Sequence, residues 1–154
     1  MAIVPSGPDQ ELNASAFAYF TGITLARERC FLTTPYFIPD EPTMRALVAA
    51  AQRGVDVRLL VPARCDVPLV GAAARAAFPR LLRGGVRVLE YLPSMLHAKT
   101  LVADGEAAIV GSANVDIRSF RFNFELGAVV TDAAVAAALE RRFLAAAGAS
   151  REAT

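Results

Sequence analysis

One histidine and one lysine occur in the 154 residues, and they stand two apart, as His97 and Lys99. Every other basic side chain is an arginine. A lone ammonium beside a lone imidazole, in a chain that otherwise uses guanidinium for positive charge, suggests a chemical need. Residues i and i+2 of a strand share a face, about 6 to 7 Å apart, so His97 and Lys99 would point the same way. The apolar runs 98–103 and 107–110 are joined by Asp104-Gly105, the strongest short hairpin signal. With a two-residue loop, His97 falls opposite Ser112. Gly111 lets the backbone bend there, and Asn114 follows just beyond. An imidazole can act as nucleophile or as general acid and base. Lysine, serine and asparagine together can hold an anionic group whose charge grows in the transition state. No cysteine–histidine cluster and no paired carboxylates lie near, so neither a metal nor another cofactor is expected. The reaction that fits best is attack of histidine on a phosphate ester.

These residues need a rigid frame. Short apolar strands alternate with longer amphipathic segments along the first two thirds of the chain. Residues 2–4 read as a short strand. Leu12, Ala16, Tyr19, Phe20 and Ile23 recur at helical spacing and predict a helix over about 9–28. A buried strand over 30–34 stops at Pro35. Asp40, Glu41 and Pro42 start a helix that Gly54 ends. The alternating run 55–61 is a strand, and Asp66 and Pro68 open an alanine-rich helix that Pro79 should kink or restart. Residues 86–90 give the next strand. After the hairpin come an irregular segment, a strand over 123–130 and a helix from Asp132 to about residue 146. The order is that of an α/β protein, a mixed β-sheet flanked by helices. Residues 1–147 form one domain and 148–154 a frayed tail.

Composition limits the alternatives. The length suits one domain with a real core, and 55% hydrophobic residues exclude a disordered chain. A net charge of +1 argues against a broadly basic nucleic-acid binder. The longest charge-free stretch, 12–26, is too short and too often interrupted by polar residues for a membrane span. With no secretory leader pattern at the start, a soluble chain in the cytosol or facing it is expected. Cys30 and Cys65 lack metal-ligand spacing, and Cys30 reads as a small core hydrophobe.

The stretch His97-Ala98-Lys99, four residues, Asp104, six residues, Gly111-Ser112-Ala113-Asn114 matches the HxK(x)4D(x)6GSxN signature of the phospholipase D superfamily. Its flanks, Thr34-Pro-Tyr-Phe-Ile-Pro-Asp-Glu41, Met95-Leu-His-Ala-Lys99 and Asn114-Val-Asp-Ile-Arg-Ser-Phe-Arg-Phe-Asn-Phe-Glu125, resemble the C-terminal catalytic half of bacterial cardiolipin synthases. The resemblance implies a phospholipase D-like half-domain that transfers a phosphatidyl group, two phosphatidylglycerols giving cardiolipin and glycerol through a phosphohistidine. It assigns His97 as the catalytic histidine, Lys99 as the phosphate-binding lysine, and Ser112 and Asn114 as further phosphate ligands. Glu125 is the acid expected to orient the histidine through its other ring nitrogen. Asp104 completes the signature and stands with the candidate catalytic residues, although beside Gly105 it is first of all a turn residue. The residues leave open whether His97 attacks or donates the proton; by resemblance, the histidine of the second half more often serves as the acid.

Such a reaction needs two imidazoles. The expected partners are therefore a second half carrying the same signature, from a preceding segment or a twofold-related chain, and an anionic phospholipid. The parent is expected at the cytoplasmic face of the bacterial plasma membrane. Two other readings stand beside this one: a homodimeric single-motif phosphodiesterase or nuclease, and a half-domain that is inert alone. Tyr36 and Phe37, at a strand's end, could contact lipid or fill the core. Asp116, Arg118 and Ser119 are expected to brace the loop after the hairpin more than to line the site.

Overall fold

The computed structural model describes residues 1–9 and 13–154. In chain order the elements are β1 (Ala2–Ser6), α1 (Ala14–Leu25), β2 (Arg29–Thr33), β3 (Phe37–Ile38), α2 (Glu41–Gln52), β4 (Asp56–Pro62), α3 (Pro68–Arg83), β5 (Arg87–Tyr91), β6 (Thr100–Ala103), β7 (Ala107–Gly111), β8 (Val115–Asp116), α4 (Ile117–Arg121), β9 (Glu125–Val130), α5 (Ala133–Gly148) and β10 (Ser150–Glu152). Eight strands make one sheet in the order β1-β9-β7-β6-β2-β4-β5-β10. The pairs β2–β4 and β4–β5 are parallel and the others antiparallel, so the sheet is mixed, as expected. β3 and β8 form a separate two-stranded parallel ribbon.

The local chemistry accounts for most boundaries. Asn13 caps α1 by accepting the Ala16 N–H, and Asp40 caps α2 by accepting the Thr43 N–H, each at 3.0 Å. α1 is shorter at both ends than expected; Leu12, the first residue of its pattern, lies outside the described residues. α3 runs unbroken through Pro79, so the helix does not restart there. Pro79 lies on the exposed side of the helix, where water can hydrate the carbonyl that its missing N–H leaves unpaired.

Strands β2, β4 and β5 are buried on both faces. Cys30, Leu32, Val57, Leu59 and Val88 pack under α1, α2 and α3, while Phe31, Leu60 and Leu89 meet Phe143 of α5 on the other face. Burial pushes the Cys30 thiol up to about 12, so it stays protonated, in keeping with a core role. The C-terminal residues are not frayed. β10 pairs antiparallel with the edge of β5, Arg151 meets the buried Glu90 at 2.7 Å, and Arg87 meets Glu152 at 2.9 Å. These ion pairs and the ladder supply the order that the polar tail sequence does not announce.

Candidate active site

The loops carrying the candidate residues leave the sheet at one edge. Thr33 of β2 pairs with Thr100 of β6, Thr100 pairs with Val110 of β7, and Gly111 pairs with Gly127 of β9. The C-terminal ends of β2 and β7 therefore lie beside the starts of β6 and β9. This is the edge where a sheet with parallel strands leaves room for a ligand.

The hairpin forms, but its register differs from the expected one. The Glu106 N–H donates to the Ala103 carbonyl at 3.0 Å across Asp104 (φ 55°) and Gly105 (φ 69°). Pairing then resumes as Ala103 with Ala107, so Glu106 is an extra residue in the loop. The Gly111 N–H donates to the Lys99 carbonyl at 3.2 Å. One further step sets Ser112 against Ala98, not His97. The imidazole and ammonium also precede β6, in an irregular segment, instead of alternating within a strand.

Ser112 turns towards β9. Its N–H donates to the Leu126 carbonyl at 3.0 Å, its Oγ accepts the Leu126 N–H at 3.0 Å, and its hydroxyl donates to a Glu125 carboxylate oxygen. The other Glu125 oxygen accepts from Asn123 Nδ2 at 3.2 Å. The carboxylate thus engages Ser112 and Asn123, and the imidazole is not among its hydrogen-bond partners. Gly111 matters here for spacing more than for bending, because its φ is not positive. A Cβ at this position would sit 2.7 Å from the Leu126 carbonyl oxygen, so β7 and β9 could not close up.

Asn114 is held by α4. Its N–H and its Nδ2 both donate to Ser119 Oγ, at 3.1 and 3.3 Å, and the Ser119 N–H donates to Asp116 Oδ1 at 2.6 Å. Asp116 and Ser119 therefore brace this loop. Asn114 Oδ1 is buried without a hydrogen-bond partner among the described residues, and an acceptor left in that condition costs about 1 to 3 kcal/mol. A half-turn of the carboxamide would let the Ser119 hydroxyl donate to Oδ1 and would present Nδ2 where Oδ1 now lies.

Lys99 Nζ donates to the His97 carbonyl at 2.8 Å, which ties the ammonium to the imidazole-bearing residue. Partial burial holds its pKa below the ordinary lysine value, against the opposing pull of Glu125 and Asp116. His97 is exposed, and its ring meets the Tyr36 ring edge to face, with centroids 6.0 Å apart and planes at 84°. The Tyr36 hydroxyl donates to the Asp66 carboxylate at 2.9 and 3.0 Å, and Phe37 is fully buried in the core. Composition and spacing gave no signal for the Tyr36–Asp66 pair.

Asp104 is not brought to this edge. It lies at the far end of β6, about 16 Å from Lys99 at 3.3 Å per residue. Its carboxylate accepts the N–H groups of Arg27, Glu28 and Arg29 at 2.8 to 3.2 Å, fastening the turn to the start of β2. It acts as a turn anchor, and the expected catalytic placement is corrected on that ground.

The model of the family "Cardiolipin synthase, PLD-like domain" matches residues 19–146. A cardiolipin synthase of Geobacillus thermodenitrificans (strain NG80-2) is 46% identical over 126 residues, covering 82% of this chain and 25% of that protein. One of Clostridium perfringens (strain 13 / Type A) is 42% identical over 141 residues, covering 92% of this chain and 30% of that protein. The chain thus spans about a quarter of the length of the curated relatives it matches. Among solved structures, the phospholipase D family member Nuc from Salmonella typhimurium superposes with a TM-score of 0.85 at 21% identity, over 99% of this chain and 97% of that one. NucT from Helicobacter pylori superposes with a TM-score of 0.75 at 18% identity, over 97% of each chain.

Proposed function

Since the chain belongs to the PLD-like domain family of cardiolipin synthases, we propose that it is one catalytic half of a phosphatidyltransferase converting two phosphatidylglycerols into cardiolipin and glycerol. The observation that carries this reading is the gathering of His97, Lys99, Ser112 and Asn114 at one sheet edge in a chain with a single imidazole. One imidazole attacks phosphorus, forming the P–N bond as the P–O bond to the glycerol headgroup breaks. The second imidazole gives that oxygen its proton. It then takes a proton from the hydroxyl of the second phosphatidylglycerol, which attacks phosphorus and breaks the P–N bond. His97 supplies one of the two imidazoles and the partner half the other.

Lys99 sits tethered beside His97 to meet the non-bridging oxygens, where negative charge grows as phosphorus becomes five-coordinate. Asn114 stands with them at this edge, its carboxamide held by Ser119. Ser112 can join them by moving its proton from Glu125 to the phosphate.

The test is the parent synthase presented with phosphatidylglycerol vesicles. Cardiolipin and glycerol should appear in equal amounts, and His97→Ala should lower the rate at least about a thousandfold. Absence of cardiolipin, or an undiminished rate in the variant, rejects the proposal. A second reading is a single-motif homodimeric phosphodiesterase, with which the fold shared with Nuc is equally compatible. It requires the chain alone to sediment as a dimer and to hydrolyse a phosphodiester.

A further inference from the structure

Imidazole chemistry at phosphorus depends on where the ring points, and Glu125, the expected orienting acid, is engaged with Ser112 and Asn123. The Tyr36 ring meets the His97 ring edge to face. Tyr36 lies on the loop that follows β2, and it is held at both ends. Thr34 Oγ1 donates to the Tyr36 carbonyl at 2.8 Å, which fixes the main chain. The phenol donates to both oxygens of Asp66, on the loop between β4 and α3, which fixes the ring. The same Thr34 Oγ1 accepts the Val115 N–H at 3.2 Å, so the Tyr36 loop is fastened to the residue after Asn114 as well. A rigidly held aromatic ring edge to face with an imidazole restricts its rotation.

We infer that Tyr36, anchored by Asp66, is the positioning residue that orients the His97 imidazole. The inference rests on the reading that His97 does the phosphorus chemistry, and it adds the residue pair that aims it. Asp66 acts through Tyr36 and touches neither the imidazole nor the substrate. Its hydrogen bond also holds the phenol pKa above the ordinary tyrosine value, so the anchor stays protonated across the working range of a histidine.

His97 is the only histidine, so its ring signals in a ¹³C,¹⁵N-labelled sample of this chain are assigned without ambiguity. Tyr36→Leu should move the His97 ring shifts, by removing the Tyr36 ring current, and lower the order of the ring. Tyr36→Phe and Asp66→Ala each keep an aromatic ring but release its anchor, and should loosen His97 to the same intermediate degree. The double variant Tyr36→Phe/Asp66→Ala should be no looser than either single one, because both remove the same hydrogen bond. Asp66→Asn retains an acceptor and should restore most of the order.

Unchanged His97 shifts and order in Tyr36→Leu would overturn the inference. So would additive effects of Tyr36→Phe and Asp66→Ala. If Tyr36→Leu loses the dispersed amide spectrum of a folded chain, the comparison of those two milder variants decides. In the parent synthase, Asp66→Ala should lower kcat about threefold to tenfold and leave KM unchanged. The ring measurements judge the positioning role and cardiolipin formation judges the proposed function, so the two can fail separately.

Discussion

Lys99 is held in a compromise. In the proposed reaction its ammonium serves as a charge, yet partial burial favours the neutral amine and lowers the pKa, while Glu125 and Asp116 resist that shift. A cationic group with a lowered pKa keeps its charge below that value and loses it on the way up, earlier than a free lysine would. Affinity for inorganic phosphate, read from the His97 ring shifts, should therefore fall as pH rises through a midpoint below about 10.5. Lys99→Arg should bind phosphate less well at neutral pH, because a flat fork replaces a compact point charge, but should not show that alkaline loss. A midpoint at or above the ordinary lysine value would refute the account. This residue stands out in the sequence as the one lysine beside the one histidine. The polar partners of the site were less legible there. Tyr36, Asp66 and His97 come from three separate loops, and neither propensity nor periodicity relates residues that meet only through the tertiary fold.

The β6–β7 hairpin shows how a correct element can carry a wrong register. Asp104-Gly105 called for a turn and a turn is present, but Glu106 enters the loop as an additional residue and shifts every later pairing by one. Two-residue and bulged turns begin with the same Asp-Gly chemistry, so the local sequence does not separate them. The strands β3 and β8 lie below the reach of pattern reading, since two residues cannot display a period. Asp104 itself yields a prediction. Three main-chain N–H groups lower its pKa against the opposing effect of burial, so the stabilisation is present above the ordinary aspartate value and is lost as pH falls through the lowered one. Asp104→Ala should cost about 1 to 2 kcal/mol in urea denaturation at neutral pH, a figure already reduced for the solvent near this turn. The difference from the parent should shrink as the pH falls below the ordinary aspartate value. Phosphate binding followed at His97 should stay within about twofold of the parent, since the site is remote. A large loss of phosphate binding with unchanged stability would return Asp104 to the catalytic set.

Across the molecule, the alternation of strands and helices in the first two thirds read correctly, because helices and strands there alternate with clear hydrophobic periods and end at glycines and prolines. The tail read wrongly, because its order comes from partners far off in sequence. Glu90 is buried and shares its carboxylate between Arg75 at 3.3 Å and Arg151 at 2.7 Å. Removing residues 150–154 takes away the shorter of these contacts and the β10 ladder. It should lower stability by roughly 1 to 3 kcal/mol, the lower end reflecting the exposure of Arg151. Chemical denaturation of the truncated chain checks this, and no change would mean that Arg75 alone satisfies Glu90. β1 and β10 are the outermost strands, so the two chain termini occupy opposite margins of an eight-stranded sheet. At about 4.8 Å between neighbouring strands, the ends lie about 34 Å apart across the sheet. A circular permutant would need a bridge longer than roughly ten extended residues, because that number spans only the straight line and the path must pass around the helical layers. Fluorescent labels placed on the first and last residues would report relative tilt between the two borders with little disturbance of His97.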